Sequence, residues 1–366
     1  MITKNQIIQC LVNFKASELT MLPINAKQIV SAEIDRDGCL AVVLQLGYPL
    51  GDFKTVLVKS IADFLKIELS LDNVRIQIKT TIDAHAVQPS VQAIPGVKNI
   101  IVVGSGKGGV GKSTTSVNLA LALQSLGARV GLLDGDIHGP NQPQMLGVDS
   151  KPEITTEKKF IPVKAHGLQT MSIGYLIDAN QPTIWRGPMV SGALMQLIKD
   201  THWDNLDYLI IDLPPGTGDI QLTLAQKVPV SGGVVITTPQ EVAVADARKA
   251  LAMFRKVSIP VLGVVENMSY MNCAHCDDRT YIFGRDGGKT LAKTYGAPFL
   301  GEIPLDITIR EQVDHGKPTV ISAPNSSLAK LYQMIAIRVG AQLSLRPKNY
   351  AAKFPNIKVV SMTKPR

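Results

Sequence analysis

The sequence predicts an α/β protein: a mostly parallel, doubly wound sheet preceded by a small α/β domain. Three observations carry this expectation. From Val97 onward, β-branched runs alternate with helical stretches, the signature of repeated strand–helix units. Those runs are apolar throughout, which implies that both faces of the sheet are covered. The residues before them carry strand and helix signals of their own, closed off by "DAHAVQPSVQAIPG", a stretch with prolines and a glycine.

In chain order, "CLAVVLQLG" (Cys39 to Gly47) and "VRIQIKTTI" (Val74 to Ile82) alternate like strands. Between them Val56, Leu57, Ile61, Phe64 and Leu65 recur at helical spacing. This gives a small α/β domain over residues 1–82, a linker over 83–96, a main domain over 97–345 and a basic tail over 346–366. In the main domain the expected strands are "NIIVVGS", "ARVGLLD", "DYLIIDLPPG", "GGVVITTP", "IPVLGVVEN" and "APFLGEIP". Helical runs such as Glu241 to Lys256 separate several of them. Ligands of such sheets bind beyond the carboxyl ends of the strands.

The chain has 366 residues, 45% of them hydrophobic and 19% charged, which suits a globular protein and excludes a disordered one. No apolar run is long enough to span a membrane and no signal peptide is evident, so a cytoplasmic protein without a membrane partner is expected. Much of the net charge of +8 sits in the last 21 residues, which hold six basic residues and no acidic one. Pro347, Pro355 and Pro365 break that segment, so it reads as a solvated tail and not as a nucleic-acid-binding arm.

The stretch "GSGKGGVGKST" carries the first chemistry. Gly106, Gly111, Lys112 and Ser113 meet the G-x-x-x-x-G-K-[ST] pattern between an apolar strand and a helical run with Val117, Leu119, Ala120, Leu123 and Leu126. The amides of Gly106, Lys107, Gly108, Gly109, Val110, Gly111, Lys112, Ser113 and Thr114 are expected to curl around phosphate. Lys112 would meet the β- and γ-phosphates, and Ser113 would ligate Mg²⁺. "LLDGDIHGP" places Asp134 and Asp136 after the second strand. "LIIDLPPGTGD" ends a strand in Asp212, the expected water-mediated Mg²⁺ partner, with Gly216 and Gly218 following. No Asn-Lys-x-Asp guanine signature is evident, which favours ATP. Cys273 and Cys276 stand at C-x-x-C spacing, half of a cubane cluster's usual ligands. Residues alone leave open an iron–sulfur cluster, Zn²⁺ with His275, or a redox disulfide.

The sequence resembles the Mrp/ApbC branch of the deviant Walker A group, which includes the nitrogenase iron protein, MinD and ParA. The resemblance rests on "PGVKNIIVVGSGKGGVGKSTTSVNLALAL", "LLDGDIHGPNQPQMLG", "WRGPMVSGAL", "DYLIIDLPPGTGD", "VENMSY", "CAHC", "IFGRDGG" and "PFLGEIPLD", in family order. It implies a P-loop NTPase fold and an ATPase that, as a homodimer, carries a [4Fe–4S] cluster to apo iron–sulfur proteins from cluster donors. Lys107 then matches the lysine that reaches phosphate on the facing subunit, and Asp136 the residue that orients the attacking water. Asn267 matches an adenine-reading asparagine, and Cys273 and Cys276 the cluster ligands. For "WRGPM", Trp185 to Met189, no spacing argument gives a chemistry; Trp185 is expected in the core and Arg186 at the dimer or a switch. His138 and His166 are expected to be structural.

The first 82 residues loosely resemble a free-standing iron–sulfur assembly factor. That domain's D-P-E stretch and Cys-Pro pair are missing, and here Tyr48 precedes Pro49. Cys10 and Cys39 lie elsewhere, so the domain is assigned no ligand. Two other functions compete with the carrier: a MinD/ParA-like spatial-organisation ATPase, and a zinc-binding metallochaperone. The cysteine pair and the proline-broken tail weigh against the first.

Overall fold

The computed structural model describes residues 2–14, 24–88, 91–137, 139–176, 187–273, 275–276 and 278–349. At the start of the chain, α1 (Lys4–Asn13), β1 (Ile29–Ile34), β2 (Leu40–Leu46), α2 (Phe53–Leu69) and β3 (Val74–Thr80) form a three-stranded sheet with two helices. β2 pairs antiparallel with β1 and parallel with β3, α2 making the crossover. α1 begins at a Thr3–Gln6 capping box, a signal that the sequence reading passed over together with β1. In α2, Leu57, Ile61 and Leu65 are buried as expected, and Phe64 meets Phe14 edge-on at 5.1 Å. Val56, placed on the same face by spacing, is instead 49% exposed.

The larger sheet follows: β4 (Ile100–Ser105), α3 (Lys112–Ser125), β5 (Val130–Asp134), α4 (Gln142–Leu146), β6 (Val163–Ala165), β7 (Leu168–Ser172), α5 (Gly187–Asp200), β8 (Tyr208–Asp212), α6 (Asp219–Lys227), β9 (Gly232–Thr237), α7 (Glu241–Lys256) and β10 (Val261–Glu266). A hairpin of β11 (Met271–Asn272) and β12 (Arg279–Thr280) comes next. The chain continues through α8 (Gly287–Thr294), β13 (Phe299–Glu302), α9 (Ile307–Asp314), α10 (Thr319–Ser322) and α11 (Ser327–Ser344). The sheet order is β13-β10-β9-β4-β8-β5-β7-β6, parallel except for β6. Its six expected strands are all present. The edge pair β6–β7 was not foreseen, because β6 is three residues long and "LQTMS" carries little apolar signal.

Two-sided burial explains the continuous apolar strands. Ile101, Val103, Leu132 and Val234 face one core with α3 and α11, while Ile100, Val102, Leu133 and Val235 face another with α5 and α7. α3 is buried on nearly every side from Thr115 to Leu123. The small sheet joins the first core through Tyr48, Pro49 and Leu50, all buried. A Cβ added at Gly340 of α11 would stand 2.9 Å from Tyr48 Cβ, so glycine is what permits this approach.

The linker and the start of the tail are less free than expected. Asn349 N–H donates to Ala84 O at 2.8 Å, Ala86 N–H to Pro347 O at 2.8 Å, and Lys348 pairs with Asp83 at 2.7 Å. Residues 347–349 are therefore paired with the linker and not a solvated tail, and Arg346 turns back to Leu343 and Val261; 350–366 lie outside the described residues. Among the described residues, no helix is long and apolar enough to cross a membrane.

Candidate nucleotide site and cysteine hairpin

The glycine loop leaves the end of β4, where Ser105 Oγ donates to Lys107 O at 2.9 Å. Backbone packing requires glycine at one position of the loop, and a side-chain contact crowds a second. A Cβ at Gly106 would lie 2.1 Å from the Asp246 carbonyl carbon on α7, and one at Gly111 would lie 2.1 Å from Asn267 Nδ2. Gly111 also has φ +78°, a conformation that glycine adopts without strain. Gly108 and Gly109 are exposed, and Val110 is buried. The Val110 carbonyl accepts from Asn267 Nδ2 at 2.9 Å, so the residue matched to adenine recognition holds the loop itself in this structure.

Lys112, Ser113 and Thr114 open α3 at the loop's end. Lys112 is 6% exposed and donates to Asp212 Oδ1 at 2.6 Å and to Ser113 Oγ at 3.3 Å. Its ammonium thus bridges the two groups expected at Mg²⁺. That stand-in cation shows that the donor set suits a positive charge, and hard oxygens are what Mg²⁺ takes. Ser116 Oγ lies 2.9 Å from both Lys112 O and Asp212 Oδ1, so its one proton serves either acceptor.

Strand register places the acids together: Asp134 at the end of β5 is the partner of Asp212 at the end of β8. Both are fully buried. Burial, helped by the Asp212 charge, pushes Asp134 up to about 7, against the Gln142 and Asp136 amides and the Lys112 charge. Asp134 also accepts from Ser172 Oγ at 3.1 Å. Its role is to shape the loop that carries half-buried Asp136, whose amide donates to Asp134 Oδ1 at 3.1 Å.

Sequence reasoning missed Gln142, Ser116 and Ser172. Gln142 Nε2 donates to Ser113 O and Asp212 Oδ2, each at 3.1 Å, and its backbone N–H donates to Asp134 Oδ2 at 3.1 Å. The one available signal was its place at the start of the helix after the Asp134–Asp136 loop. Lys107 is half-buried, and its ammonium has no hydrogen-bond or ion-pair partner among the described residues. Gly216 N–H donates to Ser105 O at 3.1 Å, which holds the Asp212 loop against the glycine loop.

The cysteines stand on a separate projection from the same end of the sheet. β10 runs into Asn267, and the hairpin begins four residues later at Met271. Tyr270 at its base is buried, with the Arg279 guanidinium 4.1 Å from the ring centroid. Cys273 N–H donates to Asp278 O at 3.0 Å, leaving Cys273 half-buried and Cys276 exposed at the tip. The His275 amide, with the Cys276 thiol and amide, holds the Cys273 thiol below its ordinary range. Among the described residues, no third His, Cys, Asp or Glu completes a metal-binding group with the pair.

Cys10 and Cys39 are half-buried in the small domain. His166 Nε2 sits 3.1 Å from Leu146 O and 3.0 Å from Gly316 O, a structural role as expected. His138, Trp185 and Arg186 lie outside the described residues, and Met189 is exposed.

A family model described as "ParA: NUBPL iron-transfer P-loop NTPase" matches residues 96–340. The chain is 54% identical over 275 residues to an iron–sulfur cluster carrier protein of Pseudomonas fragi, covering 75% of this chain and 96% of that one. It is 47% identical over 262 residues to the iron–sulfur cluster transfer protein NUBPL of Mus musculus, covering 71% and 82% respectively. Among solved structures, a nucleotide-binding protein of Archaeoglobus fulgidus in complex with ADP aligns with a TM-score of 0.55 at 37% identity. That alignment covers 64% of this chain and 91% of the other.

Proposed function

We propose that this chain, which belongs to the NUBPL iron-transfer P-loop NTPase family, is an ATP-hydrolysing iron–sulfur cluster carrier. It works as a homodimer in the cytoplasm and delivers a [4Fe–4S] cluster from a donor to apo iron–sulfur proteins. The single observation that carries this reading is the path from loop to hairpin. Asn267 grips the Val110 carbonyl of the glycine loop, and the exposed Cys273–Cys276 hairpin begins four residues further on.

In this mechanism the amides from Gly106 to Thr114 and the Lys112 ammonium hold the phosphates, and Asn267 faces adenine. Ser113 and, through water, Asp212 would hold Mg²⁺, which would neutralise charge on the β- and γ-phosphates. Asp136 orients the attacking water. Lys107, whose ammonium has no partner within the described residues, reaches the phosphate of the facing protomer and offsets charge that builds there. The exposed side chains of Val242 (69%) and Ile307 (65%) start helices that follow β9 and β13, on the same end of the sheet as the loop. They suit an apolar contact between copies across that end. Two hairpins meeting there supply four thiolates, the usual number for the cargo cluster.

The test is anaerobic loading with iron and sulfide, with metal analysis, followed by transfer to an apo acceptor with and without Mg-ATP. The expected result is a bound [4Fe–4S] cluster whose delivery responds to Mg-ATP. Stoichiometric zinc in place of iron and sulfide would favour the metallochaperone and sink the carrier reading.

A further inference from the structure

Gln142 has a buried amide oxygen with no hydrogen-bond donor among the described residues, at the centre of the nucleotide site. The side chain is 2% exposed. Its orientation is chemically fixed, because both neighbours of its nitrogen, Ser113 O and Asp212 Oδ2, are acceptors. A flipped amide would set oxygen against a carboxylate. Nε2 therefore faces them, and Oε1 beside it is left unsatisfied. Leaving a buried acceptor in this state is unfavourable, because it has given up its water without gaining a donor.

Next to it, the Lys112 ammonium bridges Ser113 Oγ and Asp212 Oδ1. With the Lys112 ammonium drawn to a bound phosphate, Ser113 and Asp212 would be free to hold a hydrated Mg²⁺, whose water would supply the O–H donor that Gln142 Oε1 lacks. We propose that Gln142 is an outer-sphere partner of Mg²⁺, its Oε1 accepting from a water in the ion's hydration shell while its Nε2 steadies Asp212. Because the backbone N–H of Gln142 also holds Asp134, the same residue ties metal arrival to the loop that carries Asp136. This inference rests on the nucleotide-site reading above and deepens it.

The experiment measures equilibrium binding of a fluorescent ADP to the full chain, in EDTA and across a Mg²⁺ series. Two proteins are compared: the wild type and Gln142→Met, which removes both polar atoms at similar size. Thermal unfolding without nucleotide confirms that each is folded. In Gln142→Met, binding in EDTA stays close to wild type, and the Mg²⁺ needed for half the enhancement rises about tenfold, as for loss of an outer-shell partner. A wild-type Mg²⁺ response in Gln142→Met overturns the assignment, and so does an equal loss in EDTA, which makes Gln142 a brace only. If the wild type itself shows no Mg²⁺ enhancement, the nucleotide-site reading fails first.

Discussion

Lys112 and Lys107 are five residues apart in the chain but opposite in environment. Lys112 is buried against Asp212, a pair held at 2.6 Å. A buried ion pair of this kind adds little net stability, because desolvation offsets most of the attraction. Exchange of its partner for phosphate is correspondingly cheap. Lys107 has no such partner in its own chain's described residues, which is what a residue serving another protomer requires. Lys107→Ala and Lys112→Ala proteins are each expected to lose ATP turnover, and a one-to-one mixture to regain it. Recovery should reach about a quarter of wild type, since random pairing makes half the dimers mixed and each of those has one complete site. Measured turnover of the mixture at the level of the separate variants, with mixed dimers present, would refute the trans assignment.

The hairpin is a small element that owes its position to its base and leaves its tip open. Buried Tyr270, the Arg279 guanidinium over its ring and the Leu305 N–H donated to Tyr270 O at 2.7 Å fix where it leaves the sheet. Cys273 and Cys276 at the tip make few other contacts, so replacing them should leave the fold intact. Cys273→Ala and Cys276→Ala are expected to abolish cluster binding with little change in thermal stability. Cys10→Ala and Cys39→Ala should keep the cluster. Iron and sulfide counts should give about one cubane per dimer, by the four-thiolate requirement. A full cluster on each monomer would argue against bridging.

For the whole molecule, Asp207 ties together segments far apart in the chain. Its carboxylate accepts from Lys98 Nζ at 2.8 Å and from the Arg129 backbone, Nε and Nη2 at 3.0 to 3.2 Å, joining the starts of β4, β5 and β8. Burial raises its pKa, but the Arg129 and Lys98 contacts outweigh it and hold the carboxyl below its usual range. A depressed carboxyl stabilises the fold fully above its unfolded pKa and ceases to do so as pH falls through the folded value. Asp207→Asn should therefore cost about 2 kcal/mol near neutral pH, a figure kept low because both cations are partly exposed. The gap between variant and wild type should narrow below about pH 4, the unfolded carboxyl value. Thermal unfolding across pH checks this; a gap that widens in acid would contradict the sign.

Runs such as Ile100 to Ser105 and Tyr208 to Asp212 announced a sheet covered on both faces, because continuous apolarity has few other uses in a chain of this composition. The glycine loop between β4 and α3, the acid at the end of β8 and the exposed Cys273–Cys276 pair could be located from local pattern, while the roles proposed for Asp136 and the cysteines came from the family resemblance and not from spacing. Pairing between distant segments was not legible. Register across β5 and β8 sets Asp134 beside Asp212, and only that neighbourhood buries Gln142 between them with an unsatisfied oxygen. The edge pair β6–β7 and the docking of 347–349 on the linker were likewise decided by partners more than a hundred residues away or by strands too short to carry a period. Local pattern fixes what a segment becomes; tertiary contact decides which polar groups it must satisfy.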